Sequence, residues 1–398
     1  MTSEFQRVPL TSVLDFREGP GILAVDFAEE GVPLIRLSGL KEGAGILEGC
    51  NYLSPAKVDA KWSQFRIKEG DVLLSTSASL GEVAVAGPEA VGAIPYTGII
   101  IFRPKNDAVD PRVIGYLFKT QDFLGQVQAM GAGSVIRHFG PSHLRQMRLV
   151  VPPRSHQGGI AEVLGSLDRR ILANSRTIAL SRQLLTAEFE SARRCRGASS
   201  VALTSLVTLN PSIRNGVSLP VPYLDMQKLP VSDWVVREWG KRSKPTGTRF
   251  QNGDTLLARI TPCLENGKLG YVDFLEDGEV GFGSTEFVVL RPKEGVPHPL
   301  PYLIASSENF RDYAIQHMYG TSGRQRVVAK DLEEYELTLP PLDQMADFGC
   351  RAEAMFADAG ALRDESRTLA ALRDTLLPAL MSGRLSVRDA EAAVSEVV

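Results

Sequence analysis

Two kinds of side chain able to read a purine edge stand together in the run Thr321-Ser322-Gly323-Arg324-Gln325-Arg326. Arginine offers guanine two parallel N–H groups, and glutamine matches the donor and acceptor of adenine, so Arg324, Gln325 and Arg326 have the chemistry for base edges. Gly133-Ser134-Val135-Ile136-Arg137-His138 occupies the corresponding place in the first half of the chain, which adds Arg137 and His138 as candidates. Arg259, Glu265, Asn266 and Lys268 fall in a loop between two expected strands and could act likewise. A third stretch, with Arg237, Lys241, Arg242, Lys244 and Arg249 beside Trp234 and Trp239, suits phosphate contact with aromatic support. For any one of these residues the plainer alternative is a solvated loop side chain.

Catalytic patterns fail one by one. An amine methyltransferase needs Asp/Asn/Ser-Pro-Pro-aromatic, whereas the only Pro-Pro pairs are Val151-Pro152-Pro153-Arg154 and Leu339-Pro340-Pro341-Leu342. Gly131-Ala132-Gly133-Ser134 follows a helix-like stretch instead of a buried strand, so it reads as a plain loop. No Gly-x-x-x-x-Gly-Lys-Ser/Thr exists, and Asp59-Ala60-Lys61 lacks the acidic partner of a nuclease site. His138, His143, His156, His298 and His317 form no metal pair and no Ser/His/Asp set, so the expectation is no catalytic residue and no metal ligand. Binding or scaffolding is the default.

A formal charge of −3 and a pI near 6.1 over 398 residues give no global basic signature, so a nucleic-acid surface must be local. Cys50, Cys195, Cys263 and Cys350 are scattered, without disulfide or zinc spacing. Met1 to Leu10 lacks the form of a secretory leader, and no apolar run approaches the ~18 residues of a membrane span. The expectation is a soluble, cytoplasmic protein without membrane association.

The elements that must position the candidate residues are written twice. Val201-Ala202-Leu203-Thr204-Ser205 repeats Val8-Pro9-Leu10-Thr11-Ser12, Gly253-Asp254-Thr255-Leu256-Leu257 repeats Gly70-Asp71-Val72-Leu73-Leu74, and Leu290-Arg291-Pro292-Lys293 repeats Phe102-Arg103-Pro104-Lys105. Pro340-Pro341 repeats Pro152-Pro153, and Leu372 to Leu377 repeats Leu180 to Leu185. The offsets, 193, 183, 188, 188 and 192, make the unit nearly half the chain: a duplicated domain and not a solenoid.

Within each unit, short β-branched runs bounded by turns read as strands: Val32 to Leu37, Asp71 to Ser75, Glu82 to Ala86 and Gly98 to Phe102, then Val221 to Leu224, Asp254 to Ala258, Leu269 to Val272 and Glu286 to Leu290. Helical stretches are expected at Val113 to Gln128 and Pro301 to His317. Each half is therefore a mixed α/β globule. Loops differ while the frame agrees: Ser75 to Gly81 takes the place of Arg259 to Glu265.

After each Pro-Pro the period changes. Ile160, Leu164, Leu167, Ile171, Asn174, Ile178, Ser181 and Leu185 alternate spacings of four and three, as do Met345, Phe348, Ala352, Met355, Ala359, Leu362, Ser366, Leu369, Arg373 and Leu376. Each set places a stripe on a long helix at the period of a coiled coil. Helices of about 35 residues reach about 50 Å, which suggests spacers packed antiparallel; the plainer alternative is a surface helix on each globule.

In order and spacing these residues resemble the specificity subunit of type I restriction-modification systems over essentially the whole chain. The resemblance rests on the doubled frame Gly253 to Phe287, the Pro-Pro entry to each helix, Gln157-x-x-Ile160-Ala161 with Leu167-Asp168, and the ending Leu376-Leu377-Pro378 with Ser382-Gly383. The second helix departs from it, with Met345-Ala346-Asp347 where Ile-Ala is expected and no Leu-Asp pair.

The resemblance implies an α+β fold: target recognition domains at 1–153 and 197–341, long helices at 154–196 and 342–385 forming an antiparallel coiled coil with pseudo-two-fold symmetry, and a tail at 386–398. It implies a non-catalytic chain whose two domains read the halves of an asymmetric site in double-stranded DNA. It implies docking of two methyltransferase and two restriction (motor-nuclease) subunits, which would supply S-adenosylmethionine, magnesium and ATP, none of them bound by this chain. The rival readings are a self-contained methyltransferase or nuclease with degenerate motifs, and a scaffold that binds only proteins.

Overall fold

The computed structural model describes residues 5–41, 45–77, 81–130, 140–195, 197–213, 219–231, 233–321 and 323–396. By its contacts the chain divides into two compact units, one formed by residues 1–172 with 368–398, the other by 173–367. Each unit takes one part of both long helices, Arg154–Ala192 and Ala346–Met381.

In the first unit a four-stranded antiparallel sheet runs in the order Leu14–Glu18, Ile99–Pro104, Val72–Ser75, Val83–Val85. Side chains alternate across a strand. Val72, Leu74, Ile100 and Phe102 thus join a core shared with the helices, while Leu73, Ile99 and Ile101 join one shared with a second sheet. Burial on both faces is why these strands read as unbroken apolar runs. The second sheet has the order Phe27–Ala28, Asn51–Leu53, Val32–Ile35, Ile94–Pro95, with its last pair parallel. Gln6–Pro9 pairs with Arg148–Val151.

The second unit repeats the first sheet as Val207–Leu209, Phe287–Pro292, Thr255–Ala258, Leu269–Tyr271. Leu257, Val288 and Leu290 again face the helices, and Leu256, Ala258, Phe287 and Val289 face the other sheet. That other sheet diverges: its order is Gly240–Arg242, Val221–Leu224, Gly281–Gly283, Thr248–Phe250, so its parallel pair is central instead of at an edge. Ser199–Ala202 pairs with Glu336–Leu339.

The repeated sequence frame has a physical basis. Gly70 and Gly253 sit at φ +80° and +87°, a left-handed turn that favours glycine, and each delivers the aspartate that follows. Arg103 donates to Asp71 through Nε and Nη2 at 2.6 Å each, and Arg291 donates to Asp254 at 2.7 Å each. Gly-Asp and Arg-Pro recur together because they are the two sides of one clasp.

Each expected helical stretch following these sheets is in fact two helices, Pro111–Phe118 with Gln121–Met130 and Leu300–Ser306 with Glu308–Gln316. The breaks fall at Thr120 and Ser307, whose hydroxyls accept from the amides of Phe123 and Phe310 and so start a new helix.

The helix stripes are buried, but not as a separate seam. Ile160, Leu164, Leu167, Leu369 and Leu376, with Ile171 at the edge, belong to the same core as Phe102 and Phe118. Ile178, Leu185 and Phe348, with Met355 and Leu362 packed against them, belong to that of Trp234 and Tyr302. Gln157 is fully buried; its Oε1 accepts from Asp110 N at 2.6 Å, and its Nε2 donates to Ala108 O and Pro152 O. Asp168 accepts from Tyr116 Oη at 2.6 Å and from Arg373 Nη1 at 2.9 Å. Burial, together with the Asp168 charge, pushes the Tyr116 phenol up.

The residue 188 on from Asp168, the offset between the two Pro-Pro pairs, is Phe356, set 4.2 Å from Trp234, 4.8 Å from Tyr271 and 5.7 Å from Tyr302. An aromatic cluster therefore replaces the ionic anchor in the second unit, which accounts for the missing Leu-Asp pair. There the helix segments run antiparallel, Asn174 meeting Ser366 and Glu188 meeting Arg351. The tail is itself helical over Val387–Ser395, and Ala390 is buried in the first unit's core.

Candidate nucleic-acid interface

Two of the candidate loops in the second unit are stitched into one. Thr261 N donates to Gln325 O at 3.0 Å, Gln325 N donates to Thr261 Oγ1 at 3.1 Å, and Val327 N donates to Arg259 O at 3.0 Å. A hairpin closes the second loop, with Tyr319 and Arg326 exchanging backbone hydrogen bonds of 2.9 and 2.8 Å. At the centre stands Glu286, one residue before the strand Phe287–Pro292. Its carboxylate accepts Arg326 Nε and Nη2 at 2.8 to 3.0 Å and Arg259 Nε at 3.1 Å. The Arg326 guanidinium, seconded by Arg259, holds this carboxyl below the ordinary carboxylate range.

The candidate residues thereby separate by environment. Arg326 is committed to Glu286 through two nitrogens, and its Nη1 donates to Arg324 O. Lys268 Nζ donates to the carbonyls of Met226 and Gln227, so it ties down a neighbouring turn. Asn266 and Arg324 are exposed, and Gln325 is half-buried at the loop surface.

Lys241 and Arg242 lie on the edge strand Gly240–Arg242, with Lys244 just beyond it, and all three are exposed. Arg242 is ion-paired to Asp225 at 2.8 Å and lies 3.4 Å from the centre of the Tyr223 ring. Positive charge on an edge strand also blocks pairing with another sheet, so this group has a structural use of its own. The aromatic support expected beside it is absent at Trp234, which is 1% exposed and packed in the core. Trp239 stacks on Phe274 at 4.4 Å, with Arg367 over its ring.

At the matching place in the first unit, Thr76 N donates to Gly98 O at 2.8 Å as Arg259 N donates to Glu286 O at 3.0 Å. The frame is the same and the side chains are not. The residue at the place of Glu286 is Gly98, with φ +82°, where a glutamate would be strained and its Cβ would meet Ser77 Oγ at 2.4 Å. Arg137 and His138 lie outside the described residues.

Sequence reading missed Glu286 and Tyr319. Glu286 stood out only as part of the repeated frame, and its partner Arg326 lies 40 residues away. No periodicity reports such a pairing.

Residues 2–180 match the model of the type I restriction modification DNA specificity domain. The type I restriction enzyme EcoEI specificity subunit of Escherichia coli is 31% identical over 154 residues, 37% of this chain and 25% of that protein, so the matched stretch spans only a quarter of that relative. The EcoKI specificity subunit of E. coli K12 is 21% identical over 388 residues, 89% of this chain and 82% of that one. The fold is similar to the crystal structure of the type I restriction-modification S subunit from M. genitalium, with a TM-score of 0.57 over 95% of this chain and 96% of that one at 14% identity. Residues 2–180, just under half of the chain, are thus similar to the type I restriction modification DNA specificity domain, and the fold is similar to that of a type I restriction-modification S subunit.

Proposed function

We infer that this chain is the DNA-reading, non-catalytic subunit of a type I restriction-modification complex, each unit reading one half of an asymmetric bipartite site in duplex DNA. One observation carries this reading: the two central sheets share their order and their Asp–Arg clasp, yet at the same ends of their two inner strands one carries Thr76 and Gly98 and the other Arg259 and Glu286. A retained frame with divergent loop side chains suits two readers of different sequences. The relatives, which are themselves specificity subunits, support it.

In this reading the exposed Lys241, Lys244, Asn266 and Arg324, with the half-buried Gln325, contact the duplex, as do Arg137 and His138 in the first unit. The two long helices set the gap between half-sites and dock two methyltransferase subunits, and two restriction subunits complete the nuclease. Those partners bring S-adenosylmethionine, magnesium and ATP, and the complex works in the cytoplasm.

Methylome sequencing of cells carrying the chain and its modification partner tests this directly. The expected motif has two unlike half-sites and a fixed spacer, and a single contiguous motif would overturn it. Incubating the purified chain alone with DNA, labelled methyl donor and magnesium separates the rival, since methylation or cleavage without partners would make it an enzyme.

A further inference from the structure

We propose that Glu286 is a positioning residue for DNA reading by the second unit, that it builds Arg326 into the scaffold, and that Arg259, Arg324 and Gln325 are the side chains presented to base edges. The inference rests on the DNA-reading function above and deepens it at one site.

Geometry assigns the roles. A guanidinium that reads guanine needs two parallel N–H groups free to face the base. All three nitrogens of Arg326 already have acceptors within the unit: Nε and Nη2 on the Glu286 carboxylate, Nη1 on the Arg324 carbonyl. Its backbone is held on both sides by Tyr319 and by the bridge to Ile260. Arg326 is thus a fastener between two loops.

Arg259 gives Glu286 only its Nε, at 3.1 Å. That single bond fixes the direction of the guanidinium and leaves its Nη pair for an outside acceptor. Arg324 and Gln325 sit on the same stitched loop, Arg324 exposed and Gln325 tied at its backbone to Thr261. Ordering a flexible loop at the moment of binding costs affinity, so a loop fastened beforehand reads more sharply. One carboxylate does both jobs, because its two oxygens take Arg326 side-on and still reach Arg259.

The first unit provides an internal contrast. Gly98, at the position of Glu286, offers no carboxylate, so this device is absent there. Loss of the Glu286 charge should therefore damage one half-site and spare the other.

The experiment selects duplexes from a randomised library with the full chain, alone and with its methyltransferase subunits, and sequences the bound pool. Wild type is expected to yield two half-motifs. Glu286→Gln should flatten one of them, with about a tenfold loss of discrimination at the affected positions, and leave the other intact. Arg324→Ala with Gln325→Ala should flatten the same half-motif.

Arg326→Gln in the Glu286→Gln background, which replaces the ion pair with two neutral amides able to hydrogen-bond, should restore part of it. A general structural loss would not show that rescue. If Glu286→Gln fails to fold, Glu286→Asp keeps the charge but withdraws the carboxylate by one methylene, and should shift the same positions. Both half-motifs unchanged in the folded Glu286 variant would overturn the positioning role. Loss confined to Arg326→Gln, with Arg324→Ala and Gln325→Ala silent, would overturn the assignment of readers. No enriched motif with wild type would sink the DNA-reading function itself, and this inference with it.

Discussion

Arg291 clasps Asp254 through two parallel hydrogen bonds of 2.7 Å where the carboxylate is 1% exposed and the guanidinium 20%. Burial pushes the Asp254 carboxyl up, and the Arg291 charge and hydrogen bonds oppose it. The pair fastens the turn after Gly253 to the strand Phe287–Pro292, across the middle of the second unit's central sheet. Removing one partner strands the other.

Asp254→Asn is expected to destabilise the second unit by roughly 3 to 5 kcal/mol, the range for breaking a buried pair. Asp71→Asn should cost the first unit less, because Arg103 is 34% exposed and can recruit water. Urea unfolding followed by tryptophan fluorescence checks this, since Trp234 and Trp239 lie in the second unit and only Trp62 in the first. Equal losses from the two substitutions would contradict the argument from exposure.

Acid should loosen the stitched loops of the second unit. Glu286 has a folded-state pKa below its unfolded value, first through Arg326 and then Arg259. Its contribution is therefore present above the unfolded value of about 4.3 and is lost as pH falls through the lower folded one. The gap in melting temperature between wild type and Glu286→Gln should hold steady from neutral pH to about 5 and close below about 4. A gap that persists at pH 2 would mean the carboxylate acts by shape alone.

The two helix anchors should fail differently. Asp168→Ala takes the acceptor from Tyr116 and from Arg373, although Arg373 keeps Asp374 at 2.9 Å, so a cost of about 1 to 3 kcal/mol is expected. Phe356→Ala opens a cavity among Trp234, Tyr271 and Tyr302 and should cost about 3 to 5 kcal/mol. Raising the salt should shrink the Asp168 deficit and leave that of Phe356 alone. Denaturant titration at low and high salt measures both.

If the helices act as a ruler, deleting one heptad from each in register should shorten the spacer of the recognised site by about three base pairs, since a heptad rises about 10.5 Å and a base pair 3.4 Å. Sequencing the modified sites reads the spacer directly. An unchanged spacer would sink the ruler.

Much of this architecture was written in the sequence where one residue type had one physical use. The runs Gly98 to Phe102 and Glu286 to Leu290 read as strands, and the recurrence of Gly-Asp and Arg-Pro marked a shared frame; that Asp71 and Asp254 are the buried partners of Arg103 and Arg291 appears only in the fold. The period of Ile160, Leu164 and Leu167 told which face of the helix is buried, but not that it faces the core of Phe102. Nor could composition separate Trp234, deep in the core, from Trp239 near the surface. The candidate loops were legible as loops. Their union was not, because Thr261 and Gln325 meet across 64 residues and only the folded sheet brings them there.

The division of the chain into residues 1–172 with 368–398 and a continuous 173–367 bears on how the protein is made. The core of the first unit needs Leu369, Leu376, Leu380 and Ala390, and a Cβ on Gly383 would press within 2.4 Å of Phe5. At ribosomal speeds of about 5 to 20 residues per second, the first segment waits roughly 10 to 40 s for these residues to complete its core. The unit begun first is finished last. During that interval the core of the first unit lacks Leu369, Leu376, Leu380 and Ala390, and a stall after residue 367 would leave a closed second unit attached to an open first one.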